Sequence, residues 1–258
     1  RVTLKVFSSG LLIAVFLTMG AVDDIVPHVS AVQAPINGVQ KIYLPLVLNQ
    51  SFSQPIARQV SAPRFSGDVW PGGAAIFWFG KITSNENYAD VRVAYNDTEI
   101  YLRATVFDRR LWYDTNPQTS ALSSWDAASV YLNLNGNVGE SPSLNAYSFI
   151  AQLNWWENPR DQWQAGYRGD GTQWRPSTIP FTTVTTWRGD APNDDIDDHG
   201  WIVTFHIPFS SLGLAGPPSQ GTIWGLGMTV YDRNDAIGTS LSSKAWPEAF
   251  VANRPNTW

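Results

Sequence analysis

The sequence contains no cysteine, which excludes disulfides, thiolate nucleophiles, iron–sulfur clusters, cysteine-ligated zinc and a lipid-modified N-terminal cysteine. Charge is scarce as well: charged residues make up 15% of the 258 positions, the net charge is -5 and the pI is near 5.1. No block of Lys and Arg offers the basic footprint that nucleic acid needs, so that partner is set aside. Histidine is limited to His28, His199 and His206. Neither a nucleophile elbow nor a metalloprotease motif occurs, and the expectation is a protein that is not an enzyme. Nor does any window beyond the N-terminus hold a sustained 3.6-residue apolar stripe, so helices there should be short.

What the chain has in quantity is aromatic surface. Aromatics reach 13%, with thirteen Trp beside two Met. From about Phe65 the pattern becomes period-two runs broken by Gly, Asn, Asp and Pro, as in a sandwich or barrel. In "YADVRVAYNDTEIYLRATVFD" the residues Ala89, Val91 and Val93 alternate inward, Asn96-Asp97 turns, and Ile100, Leu102, Ala104 and Val106 alternate again, which is a hairpin. In "SSWDAASVYLNLNGN" the residues Ala128, Val130, Leu132 and Leu134 share one face, opposite Ser129, Tyr131 and Asn133. Further strands are expected at 146–155, 181–187, 201–207 and 222–231.

The N-terminus has a different character. Arg1 and Lys5 precede "GLLIAVFLTMGAV" at 10–22, which Asp23 and Asp24 close. This is the layout of a secretory signal peptide, with Val29-Ser30-Ala31 as a small-residue cleavage site, or of an uncleaved membrane anchor. The expectation is an N-terminal hydrophobic helix over 1–25, an extended linker over 26–64 with a short docking strand in "KIYLPLVLN", and a sandwich over 65–258. Export follows, to the extracellular space or the periplasm, with a tether to the cytoplasmic membrane if the segment is kept.

The order of motifs resembles a known family. "VAYNDTEIYLRATVFDRRLW", "WDAASVYLNLNGN", "GWIVTFHIPFSSLGL", "GTIWGLGMTVYDRND" and "KAWPE" follow one another as in carbohydrate-binding module family 9-like domains, relatives of the DOMON group. The resemblance covers roughly residues 65–252. It implies an all-β, antiparallel sandwich of immunoglobulin or jelly-roll type, mostly non-catalytic, with a glycan as partner. It also suggests Trp246 as one wall of a sugar site. Near position 204 the family usually carries an acidic residue, and here Thr204 stands instead.

Sugar recognition needs flat aromatic faces to stack on pyranose C–H surfaces, flanked by polar groups for the hydroxyls. The densest supply is "QLNWWENPRDQWQAGYRGDGTQW", so Trp155, Trp156, Trp163, Tyr167 and Trp174 are the expected platform, interleaved with Asn154, Arg160 and other polar residues. The competing reading covers these rings in a loop or an interface between subunits. The loop "GDAPNDDIDDHG" offers Asp194, Asp195, Asp197 and Asp198 as oxygen ligands for calcium, although the spacing matches no EF-hand and a solvated acidic loop is the competing reading. A haem between His206 and Met228, on adjacent expected strands, is a remote third reading implied by the wider group. The main rival to sugar binding is an accessory subunit of a membrane complex, in which the sandwich docks proteins.

Overall fold

The structure, a computed structural model, describes Leu4–Ser9, Leu12–Leu17 and residues 58–83, 86–155 and 160–258. The chain divides into two units, Arg1–Phe52 and Ser53–Trp258. In the first, β1 (Leu4–Ser9) and β2 (Leu12–Leu17) pair antiparallel, with Leu4 opposite Leu17. The helix expected over 1–25 therefore meets strand backbone where the chain is described; the rest of that segment, the cleavage site and the linker island at 41–49 lie outside the described residues. Among the described residues no helix is long and apolar enough to cross a membrane.

The second unit is all-β. Its strands are β3 (Ala75–Thr83), β4 (Glu86–Tyr95), β5 (Glu99–Phe107), β6 (Ala127–Asn133), β7 (Ala146–Gln152), β8 (Gln164–Gly169), β9 (Trp174–Pro176), β10 (Thr182–Arg188), β11 (Gly200–Pro208), β12 (Gly225–Arg233) and β13 (Leu241–Trp246). They form two antiparallel sheets. One has the order β10-β11-β5-β4-β3, the other β13-β12-β6-β7-β8-β9. The sandwich expected from period-two patterning is what the chain builds, and the hairpin turns where Asn96 stands. Its side-chain oxygen accepts hydrogen bonds from the backbone N–H of Thr98 at 2.8 Å and of Glu99 at 2.9 Å, an Asx turn.

The core lies between the sheets. Val91, Val93, Leu102, Ala104 and Val106 face Ala128, Val130, Leu132, Phe149 and Val230, all buried. On β11, Val203, Phe205 and Ile207 are fully buried, because alternate side chains of a strand share a face. Met228 sits in this core, whereas His206 stands on the other face of β11 with its Nδ1 2.8 Å from Glu99 Oε1. The two residues weighed for haem are thus not on adjacent strands. β11 and β12 belong to different sheets.

The two sheets differ in what covers their outer faces. β4 alternates half-buried and buried positions, the pattern of a strand with one face in solvent, but β6 and β7 are buried at every position. Their outward residues, Ser129, Tyr131, Ser148 and Ile150, lie under the short 3-10 turn Thr119–Ser124 and the chain after Trp246.

Candidate functional site

That covered face holds a depression of about 180 Å³ lined by Leu122, Ser123, Ser129, Tyr131, Ser148, Ile150, Tyr167, Trp174 and Tyr231. Strand register builds its floor. Tyr131 on β6 pairs with Ser148 on β7, and Ser148 pairs with Tyr167 on β8, which places the three in one row across the sheet. In the next row Ser129 pairs with Ile150. Every one of these is an outward position of its strand, since the residues between them, Val130 and Phe149, point into the core.

The walls are aromatic. Trp174 on β9 lies with its ring 5.9 Å from that of Tyr131 and stacks on Trp258, 5.9 Å away and 6° from parallel. Both indoles are fixed by hydrogen bonds to the tail: Trp174 Nε1 donates to the Ala252 carbonyl at 3.2 Å, Trp258 Nε1 to the Val251 carbonyl at 2.9 Å. Phe250 completes the cluster at 4.9 Å from Tyr131. It reaches that place because Gly227, the cross-strand partner of Tyr131, has no side chain. A Cβ there would stand 2.1 Å from the Phe250 ring. Gly227→Ala is accordingly expected to push Phe250 off Tyr131 and lower stability by about 1–3 kcal/mol, as overpacking does. Urea unfolding, with limited proteolysis of the C-terminal tail, checks it.

The polar chemistry of the depression is hydroxyl chemistry. Three Ser and three Tyr line it, and no charged side chain does. The Tyr131 and Tyr231 hydroxyls are 3.3 Å apart. Burial, followed by the neighbouring Tyr231, holds the Tyr131 hydroxyl well above the ordinary tyrosine range, and burial also raises Tyr167. These phenols remain neutral, and a neutral hydroxyl both donates and accepts.

Of the expected platform, the structure brings Tyr167 and Trp174 together. Trp155 is exposed and packs its ring 5.0 Å from Trp187, on the β10 side of the molecule. Trp156 lies outside the described residues. Trp163 is buried and donates from Nε1 to the Asp114 carbonyl at 2.7 Å. Trp246 is buried too, its ring 4.3 Å from Phe77 across the core. Two polar residues of the aromatic run, Asn154 and Arg160, turn inward: Arg160 bonds the Gln152 carbonyl, Thr183, Thr185 and buried Asn154, whereas Asp161 and Gln162 are exposed. Burial brings its guanidinium down to about 10. Tyr131, Ser129, Ser148 and Tyr231 were not expected as site residues. The available signal was the alternation in "SVYLN", which puts Tyr131 on the non-core face.

The acidic loop does not gather its carboxylates. Asp197 pairs with Arg109 at 2.6 Å and Arg110 at 2.9 Å, and Arg109 holds its carboxyl below the usual range. Asp194 accepts from the backbone N–H of Ile196, Asp195 is exposed and Asp198 is buried. The group that could hold a metal is elsewhere. Asp108, Asp126 and Asp232, all buried, place one carboxylate oxygen each within 4.8 Å of one another. Each of their six oxygens already accepts a hydrogen bond. The donors are Arg110 N and Asn87 Nδ2 for Asp108, Arg233 N and Trp112 N for Asp126, and Asn234 Nδ2 and Ser242 Oγ for Asp232. Among the described residues no ion pair reaches the three. Burial, with the repulsion of neighbouring acids, drives Asp108 up to about 8 and raises Asp126, and burial raises Asp232.

No family model matches the chain, and no curated protein matches it. Among solved structures the chain is similar to a carbohydrate binding module family 9 domain from Caldicellulosiruptor kristjanssonii in complex with cellotriose, at 17% identity and a TM-score of 0.49, over 76% of this chain and 90% of that one. The glucose complex from the same organism gives 18% identity and a TM-score of 0.49, over 76% and 91%. A carbohydrate-binding-protein candidate from Bacteroides uniformis gives 11% identity and a TM-score of 0.48, over 66% and 77%. The two complexes belong to the family that the order of sequence motifs resembles.

Proposed function

We propose that this domain binds a neutral sugar, without catalysis, in the depression on the outer face of the six-stranded sheet. One observation carries the reading: a cavity lined by three Ser, three Tyr and Trp174, with no charged side chain. A sugar presents the complementary set, apolar C–H faces ringed by groups that donate and accept. An anionic or cationic ligand would lose its hydration there without meeting a counter-charge. The layout of the N-terminal segment supports an exported protein, where such a ligand is met.

Calorimetric titration of the whole chain with neutral mono- and disaccharides tests this. Saturable binding is expected, weakened roughly tenfold by Trp174→Ala, the cost of losing one stacking face. Trp155→Ala, far from the depression, should bind as the parent does. If no neutral sugar in the panel gives a saturable heat, or if Trp174→Ala changes nothing, the reading fails.

A further inference from the structure

On the outer face of the five-stranded sheet Ala94, Tyr101 and Thr204 are buried, but toward β3 it carries large aromatics that reach solvent. In β3 the residues Phe77 and Phe79 point into the core, so Trp78 points out, and it is 63% exposed. Trp78 pairs with Asp90 on β4; two residues earlier on the same face of β4 stands Tyr88, diagonal to Trp78 and within aromatic reach. Tyr88 in turn pairs with Phe107 on β5, and their rings are 5.6 Å apart. Phe107, Tyr88 and Trp78 therefore make a strip across three strands. Opposite Tyr88 on β3 is Gly80, at φ +83 and so close to the neighbouring strand that a Cβ would meet the Asn87 carbonyl at 2.1 Å.

Both ends of the strip continue. At one end Phe107 lines a cavity of about 440 Å³ with Glu86, Asn87, Arg109, Arg188 and His199. At the other, Arg92 bonds Asp90 at 3.3 Å and the Pro71 carbonyl at 3.0 Å, which holds the turn bearing Trp70, 71% exposed, beside the sheet.

We infer that this face is a second binding surface, for an extended neutral polysaccharide that lies along Phe107, Tyr88 and Trp78 and enters the cavity with its polar end. It shares the carbohydrate reading of the depression but lies on the opposite sheet, and it stands on its own residues. The chemistry of the face selects the occupant. Ile76, 42% exposed, extends the strip along β3, and polar side chains border it: Asp90, Arg92, Arg103 and Thr105 occupy outward positions of β4 and β5, so a protein partner with an apolar surface would take these polar groups out of water. Acids and bases occur together on the face and in the cavity, whose lining also includes Asp108 and Asp198, so neither sign dominates for a polyanion or a polycation. A polysaccharide supplies rings for stacking and hydroxyls for groups of either sign.

The test is retention of the whole chain on microcrystalline cellulose, insoluble xylan and chitin, with affinity electrophoresis in soluble glucan. The parent should be retained by at least one polymer, and Trp78→Ala and Phe107→Ala should each weaken retention roughly tenfold. Trp174→Ala should keep polymer retention while losing small-sugar binding, which separates the two surfaces. Several results would overturn the inference: no retention of the parent on any polymer, retention lost in Trp174→Ala but unchanged in the two strip variants, or sedimentation in which Trp78→Ala abolishes only a concentration-dependent dimer. The last would make a second copy of the chain the occupant. Trp78 is mostly in solvent, so its variant should fold, with an unchanged melting temperature as the control.

Discussion

Stability is expected to fall as the pH rises from about 4 to about 8, the reverse of the usual behaviour of carboxylates held by ion pairs. The cause is the buried set Asp108, Asp126 and Asp232. Asp108 has its folded value raised to about 8, whereas in the unfolded chain it titrates near the ordinary aspartate value of about 4. Below that lower value both states hold the proton and the group is silent. Between the two values the folded state keeps a proton that the unfolded state releases, so each pH unit costs folding up to about 1.4 kcal/mol. Above about 8 both states are ionised and the loss levels off. Asp108→Asn, neutral throughout, is expected to flatten this slope and to melt above the parent at about pH 8. Urea midpoints across the range measure it. Repeating the series with millimolar calcium adds a second reading. A cation seated among the three would hold them ionised and turn the fall into a rise, whereas unchanged midpoints mean that protons alone balance the cluster.

Asp126→Ala is expected to cost about 2–5 kcal/mol at about pH 5, where proton uptake has already relieved the repulsion among the three acids. Asp126 is fully buried, and its two oxygens accept the backbone N–H of Trp112 at 2.6 Å and of Arg233 at 2.8 Å. It ties the long connection after β5 to the end of β12, which are distant in sequence. Alanine leaves two buried N–H groups without acceptors, and water cannot reach them to compensate. Asp126→Asn keeps one acceptor and should lose about half as much. An Asp126→Ala variant that unfolds within about 0.5 kcal/mol of the parent would show that the tie contributes nothing.

The fold was largely legible because its signal is local. A period of two over "ADVRVA", "IYLRATV" and "IVTFHI" sets which side chains share a face, and burial of that face follows without knowledge of any partner strand. The Asn96 turn was legible for the same reason, since its hydrogen bonds run within three residues. β3 and β8 were harder. "AIFWFG" is apolar on both faces, so alternation is invisible there, and "QAGYRG" has too few apolar residues to show a period.

The site was less legible because it is assembled from segments far apart in the chain. The aromatic run at 155–174 marked a region rich in rings, yet Trp163 faces the core and Trp155 leans on Trp187. Of the described rings of that run, Tyr167 and Trp174 join Tyr131 and Tyr231. Nothing near Trp174 in sequence says that Trp258 will stack on it, and nothing near Asp126 says that Asp108 and Asp232 will stand beside it. Composition and alternation by themselves determined an all-β chain with one buried face per strand and an aromatic surplus beyond what a core needs. Which aromatics line a cavity, which three acids stand together and which Trp remain in solvent were decided by tertiary structure. A strand's period fixes only the face on which a side chain lies; strand order and the path of the tail decide what lies against that face.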